Sequence, residues 1–344
     1  MWFTLLFMAF KHLEQFQDGV LLKQLAGVYL PSHFEDTYNF RPFQPPRRLI
    51  YHYTDITGLR GIIQSNCLRA SAARYLNDSS EVDYGCSLVV EILNRWVDKN
   101  KGNKQRPSPS MRVLKTLHYV FTEPESTIAR SADIYVACFC ENENLLSQWR
   151  AYGQKGGYSI GFEIEDSWPT ASIRVPDPSW ESRLEKVTYE SRFQLARIDQ
   201  LLAVCFELIR DHAPDDSVLK NLDADALVFE IAEFVSELLL DEIATFKNPA
   251  FSEENEWRLV VRPRWIDRKA NTSMVSLLKF RESRGCLVPY LDLRPPDERR
   301  LPIRSIRYGP SLIRERVEDP LKLLLAASGF GEVRITGSQL PVLL

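Results

Sequence analysis

Two long helical periods stand in the middle of this chain, roughly Phe193–His212 and Ala224–Phe246, with groups of short strand-like runs before and after them. In the second, Leu227, Ile231, Phe234, Val235, Leu238 and Leu239 recur at helical spacing and form one apolar face. Such faces pack a core. A chain that separates its strands with a helix pair cannot build a regular βαβ alternation. The fold expected is therefore α+β, with a mixed, largely antiparallel sheet and a helical insertion at about 191–247. Residues 1–48 read as an N-terminal extension, and 49–344 as a single domain.

The strand-like runs are Leu49–Tyr53, Ile134–Phe139, Tyr158–Ile164, Ser172–Val175, Lys186–Tyr189, Glu256–Val261, Leu277–Phe280, Leu287–Leu291, Ile303–Tyr308 and Glu332–Thr336. Asp55-Ile-Thr57 supplies cap chemistry for a short helix, and Asn77-Asp-Ser-Ser-Glu81 for a longer one reaching about Trp96. Further helices are expected at 111–121, 145–152 and 313–328.

With 44% hydrophobic and 26% charged residues, the chain has the composition of a globular protein. Its net charge of −3 argues against bulk electrostatic binding to nucleic acid. The six cysteines, at 67, 86, 138, 140, 205 and 286, contain no paired CxxC motif, so no metal is expected. A reduced, cytoplasmic compartment fits them best. The apolar block opening MWFTLLFMAF is about ten residues long, too short to cross a bilayer, and no membrane association is expected.

Glu253, Glu254 and Glu256 crowd the start of a strand that reads as buried, with Glu254 and Glu256 on one face. Clustered carboxylates are unfavourable unless water, a cation or a cationic reaction centre lies nearby. Glu253 reads as solvated. Four further blocks bear on chemistry: Tyr51-His-Tyr-Thr54, Leu68-Arg-Ala-Ser71, Leu76-Asn-Asp78 with Glu81, and Ser147-Gln-Trp-Arg-Ala-Tyr-Gly153 leading to Gly156-Gly-Tyr158. Each also has a plain structural explanation. His52 suits a core histidine, Trp149 a core residue, and Arg150 an ion-pair partner for Glu141 or Glu143. No GxGxxG, Walker A, HExxH or GxSxG motif is present.

These blocks, in this order, resemble a bacterial family of uncharacterised proteins, DUF2971, from about residue 49 onward. The opening His-Tyr-Thr, followed by a Leu-x-x-Ile helix and a Leu-x-x-Ser segment, is more weakly similar to ADP-ribosyltransferase-like domains. That second resemblance implies a split sheet and NAD as substrate. It implies ligand contacts from His52, Tyr53, Thr54, Arg69, Ser71, Arg150, Tyr152 and Tyr158, with Tyr152 or Tyr158 stacking on nicotinamide. It makes Glu256 the catalytic carboxylate, stabilising an oxocarbenium-like state, with Glu254 as its companion. Arg69 and Arg150 would hold the pyrophosphate, because guanidinium pairs with phosphate in bidentate fashion.

The function expected is NAD-dependent ADP-ribosyl transfer to an unidentified acceptor, in phage defence or a toxin-like role. The alternative is a non-catalytic module of the same fold that binds a nucleotide, a dinucleotide or a partner. A lesser alternative is a metal-dependent nuclease using Asp133, Glu254 and Glu256. Arg258, Arg262, Arg264, Arg268 and Lys269 form a basic strip that reads mainly as ordinary surface charge.

Overall fold

The structure, a computed structural model, describes residues 49–75, 80–100, 108–123, 134–152, 156–164, 173, 175, 180–212, 224–263, 276–283, 285–297 and 299–341. The capping block at 76–79, Asp133, and the basic residues 264, 268 and 269 lie outside them, as does the N-terminal extension.

Strand β1 (Leu49–Asp55) leads directly into helix α1 (Ile56–Ser65). Asp55 caps α1, its Oδ1 accepting the Gly58 N–H at 2.7 Å. Asn66, in the left-handed region at φ 50°, ends the helix. Leu59, Ile62 and Ile63, at i, i+3 and i+4, are its buried face. Then follow β2 (Leu68–Ala72), α2 (Ser80–Asn100), α3 (Pro109–Thr122) and β3 (Tyr135–Cys140). Next come α4 (Leu146–Tyr152), β4 (Gly157–Glu163), β5 (Trp180–Lys186), α5 (Ser191–His212) and α6 (Ala224–Ile243). A 3-10 turn (Pro249–Glu254) precedes β6 (Glu256–Pro263). The chain closes with β7 (Lys279–Ser283), β8 (Cys286–Leu293), β9 (Ile303–Tyr308), α7 (Arg314–Ala327) and β10 (Arg334–Gly337).

Among the described residues these strands form one ten-stranded sheet. Every strand pair is antiparallel except β9 with β10. The mixed, largely antiparallel α+β arrangement expected from the sequence is the one that forms.

Strand β3 is the junction of the sheet. One of its edges pairs with β6 over its whole length, Tyr135 opposite Val261 through Cys140 opposite Glu256. The other edge is shared. Tyr135 and Val136 pair with β2, and Cys140 pairs with Tyr51 of β1. Between these contacts β1 and β2 part, leaving a wedge along Ala137–Phe139. The β1 wing continues through β4 and β9 to β10, and the β2 wing through β8 to β7.

Strand alternation assigns the two sides of β3 to two cores. Val136 packs with α2, α3, α5 and α6. Tyr135, Ala137 and Phe139 pack on the other side with α1, α7 and the inner residues of both wings. The apolar face of α6 is the expected one, with Ile231, Val235, Leu238 and Leu239 buried. The helix pair α5 and α6 shares one core with α2 and α3.

One strand departs from expectation. β5 begins at Trp180, and beyond Lys186 only an isolated bridge joins Thr188 to Phe246. Its alternating charges conceal it in the sequence. Glu181, Arg183 and Glu185 are satisfied by Arg262, Asp241 and Arg197, so the sheet tolerates them. Of the expected strand at 172–175, only Ile173 and Val175 are described, and neither is in a strand.

Candidate functional site

The wedge gathers part of the set expected to contact a ligand. His52 lies on β1 where that strand leaves β3. Its Nδ1 is 2.9 Å from the Cys138 carbonyl oxygen, and its ring is 5.8 Å from that of Phe139. A carbonyl only accepts, so Nδ1 carries the proton and Nε2 is the acceptor of the neutral ring. Burial pushes the imidazole pKa down, and Arg281 pushes the same way. His52 is thus a fixed, uncharged acceptor.

Across the wedge, β2 presents Arg69 and Ser71. The Arg69 guanidinium carbon lies 4.8 Å from the Tyr290 ring centroid, a cation–π contact that holds its plane. Arg281 starts on β7, beyond β8, yet its guanidinium reaches within 3.3 Å of the Ser71 hydroxyl on β2. Burial lowers its pKa, as does Arg69, against the pull of Asp55, Tyr290 and Tyr152. Among the described residues neither Arg69 nor Arg281 forms an ion pair. Arg281 and Tyr290 were missed in the sequence, where they are the inward positions of two short, unremarkable strands.

The other expected ligand contacts are occupied differently. The Tyr53 hydroxyl donates to the Asn142 carbonyl at 2.7 Å and accepts from the Leu145 N–H at 2.9 Å. Its ring meets Trp149 edge-on at 4.9 Å, so Tyr53 anchors α4. Thr54 packs against Gly58, where an added Cβ would lie 1.9 Å from its Oγ1. Tyr158 is buried opposite Thr54 and Tyr308 in the core beneath α7. That leaves it no open ring face for nicotinamide. Tyr152 is exposed at the end of α4, within electrostatic reach of Arg281. Arg150 is exposed, while Glu141 and Glu143, its expected partners, pair instead with Lys186 and Arg307.

Glu254 and Glu256 do converge, but on a lysine. Lys247 Nζ lies 2.6 Å from Glu254 Oε2, 2.9 Å from Glu256 Oε2 and 3.2 Å from Glu81 Oε1. Arg258 closes the cluster. Its Nε donates to Glu256 at 2.8 Å, one terminal nitrogen to Glu81 at 2.5 Å, and the other to the Ala244 carbonyl at 2.8 Å. Burial pushes the Glu256 carboxyl up, but Arg258 and Lys247 outweigh it and hold the pKa at about 2. Burial raises Glu254 despite Lys247. Glu254 ends the 3-10 turn, and Asn255 in the left-handed region, φ 42°, turns the chain into β6. Glu253 is exposed, as expected.

The catalytic reading of this pair therefore changes. Tyr51, Cys140 and Glu256 are aligned across β1, β3 and β6 and share one face of the sheet. His52, one residue on from Tyr51, faces the other side. Glu256 is held by Arg258 and Lys247 and does not face the histidine it was expected to accompany. Its cationic partners were hard to find, because Glu81 comes from a distant helix and Lys247 precedes the pair by a turn and a cap. Arg258 and Arg262, taken for surface charge, are buried in ion pairs. Among the described residues no group of three or more His, Cys, Asp or Glu side chains is arranged to hold a metal ion, and no helix is long and apolar enough to cross a membrane.

Residues 148–259 match the family model described as protein of unknown function, DUF2971. This segment runs from within α4 to the middle of β6. It holds Lys247, Glu254, Glu256 and Arg258, whereas His52, Arg69 and Arg281 lie outside it. No curated protein and no solved structure matches the chain.

Proposed function

We propose that this chain, with its DUF2971 segment, is a nucleotide-binding module that takes the phosphate of its ligand on the β2–β8 surface bordering the wedge. The observation that carries this is the Arg69–Arg281 pair. Two guanidiniums from different strands share one small surface without an ion-pair partner among the described residues, and one is partly desolvated. Such a pair is unfavourable alone and favourable around an anion. Ser71, which already bonds Arg281, offers a further polar contact beside the pair.

Binding without bond cleavage is the reading the geometry supports. Cleavage of the nicotinamide–ribose bond needs a carboxylate available to the developing cation. Glu256 is already neutralised by Arg258 and Lys247.

Calorimetric titration of the purified chain with AMP, ATP and NAD tests the proposal. Saturable binding is expected, weakened at least about tenfold by Arg281→Met in a variant of unchanged circular dichroism. NAD incubated with the protein should be recovered intact. Absence of binding by all three nucleotides would sink the proposal. NAD consumption that disappears in a folded Glu256→Gln variant would replace it with glycosyl transfer.

A further inference from the structure

We infer that the Arg69–Arg281 patch selects a phosphoryl group carrying two negative charges, a terminal phosphate monoester or a pyrophosphate, over a singly charged phosphodiester. This deepens the nucleotide reading and rests on it. The argument is one of charge and reach.

Arg69 and Ser71 are two positions apart on β2, which sets their Cα atoms roughly 7 Å apart. Arg69 lies over Tyr290 of β8, which is the register partner of Ser71. Arg281 crosses β8 to reach Ser71. Both guanidiniums therefore converge on the same patch of the β2–β8 surface, close enough for each to feel the other's charge.

The surrounding charges do not cancel them. Asp292, the register partner of Arg69, is bonded by Lys279 and lies 3.4 Å from Arg294. Asp55 caps α1 through the Gly58 N–H, and it influences Arg281 without an ion pair. Four cations thus face two carboxylates, an excess of two positive charges. His52 adds none, because its ring is neutral. A monoanion would leave one guanidinium unpaired in a partly desolvated place, whereas a dianion satisfies both. Both donors are also preorganised, Arg69 by its stacking and Arg281 by Ser71, which favours the bidentate geometry of guanidinium with phosphate.

The test is a calorimetric comparison at fixed pH and salt of AMP, NAD, 3′,5′-cyclic AMP, inorganic phosphate and pyrophosphate. AMP or NAD should bind at least about tenfold more tightly than cyclic AMP. The tighter of the two tells whether the monoester or the pyrophosphate is the preferred source. Arg69→Met and Arg281→Met should each bring the ratio to cyclic AMP towards one. Cyclic AMP binding as tightly as both AMP and NAD overturns the inference while the nucleotide reading stands. A ratio unchanged in both arginine variants also overturns it. Pyrophosphate binding with no nucleotide binding supports the dianion site and removes the nucleotide reading. No binding by any of the five overturns both.

Discussion

At the residue scale the central fact is that Lys247 joins three carboxylates delivered by a helix, a 3-10 turn and a strand. The convergence of Glu254 and Glu256 was legible from their spacing. Their cationic partners were not, because spacing reports which residues share a face but not what a distant segment brings to it. The same holds for Tyr53, whose strand position was legible and whose bonds to the 142–145 segment were not. An ion cluster of this burial is costly to break on one side. Glu256→Gln should lower stability by about 3–5 kcal/mol at neutral pH, because Arg258 and Lys247 lose a shared partner. Its pKa of about 2 lies below its ordinary value of 4.5. The stabilisation is therefore fully present above about 4.5 and is lost as pH falls towards 2. Urea unfolding of both proteins across that window should show the difference shrinking with acidity. A difference that is constant with pH would mean Glu256 acts by packing alone.

At the element scale, one close contact lets Glu81 reach the cluster. Gly85 lies one turn beyond Glu81 on α2, and an added Cβ there would lie 2.6 Å from the Ile243 Cβ at the end of α6. Helix α2 approaches α6 closely because this position has no side chain. Gly85→Val should cost about 1–3 kcal/mol by overpacking, read as a lowered thermal midpoint. An unchanged midpoint would show that the helices give way freely. Most elements were visible beforehand, since 3.6-residue and two-residue periods survive in the sequence wherever one face is apolar. β5 escaped because its charged residues are paired to β6 and its flanking helices. Periodicity of hydrophobicity carries no record of a buried charge whose partner sits on another strand.

At the scale of the whole molecule, β3 and β6 are walls of two cores at once, with Val260 in one and Leu259 in the other. Neither core closes without them. The chain should therefore unfold in one step, with far-ultraviolet circular dichroism and tryptophan fluorescence giving coincident transitions. Separated transitions would make the helical layer an independent unit. The α+β class was legible because the strands fall in groups around a helix pair. The wedge was not, because it depends on β1 and β2 sharing one edge of β3, and pairing partners leave no mark in local sequence. That sharing has a dimensional consequence. β1 holds β3 at Cys140 and β2 holds it at Val136, four residues apart, or roughly 13 Å of extended chain. The mouth of the wedge is thus gauged by β3 itself. Lengthening or shortening outlying strands such as β7 or β10 would leave it unchanged, whereas one residue added to β3 would alter the gap between β1 and β2.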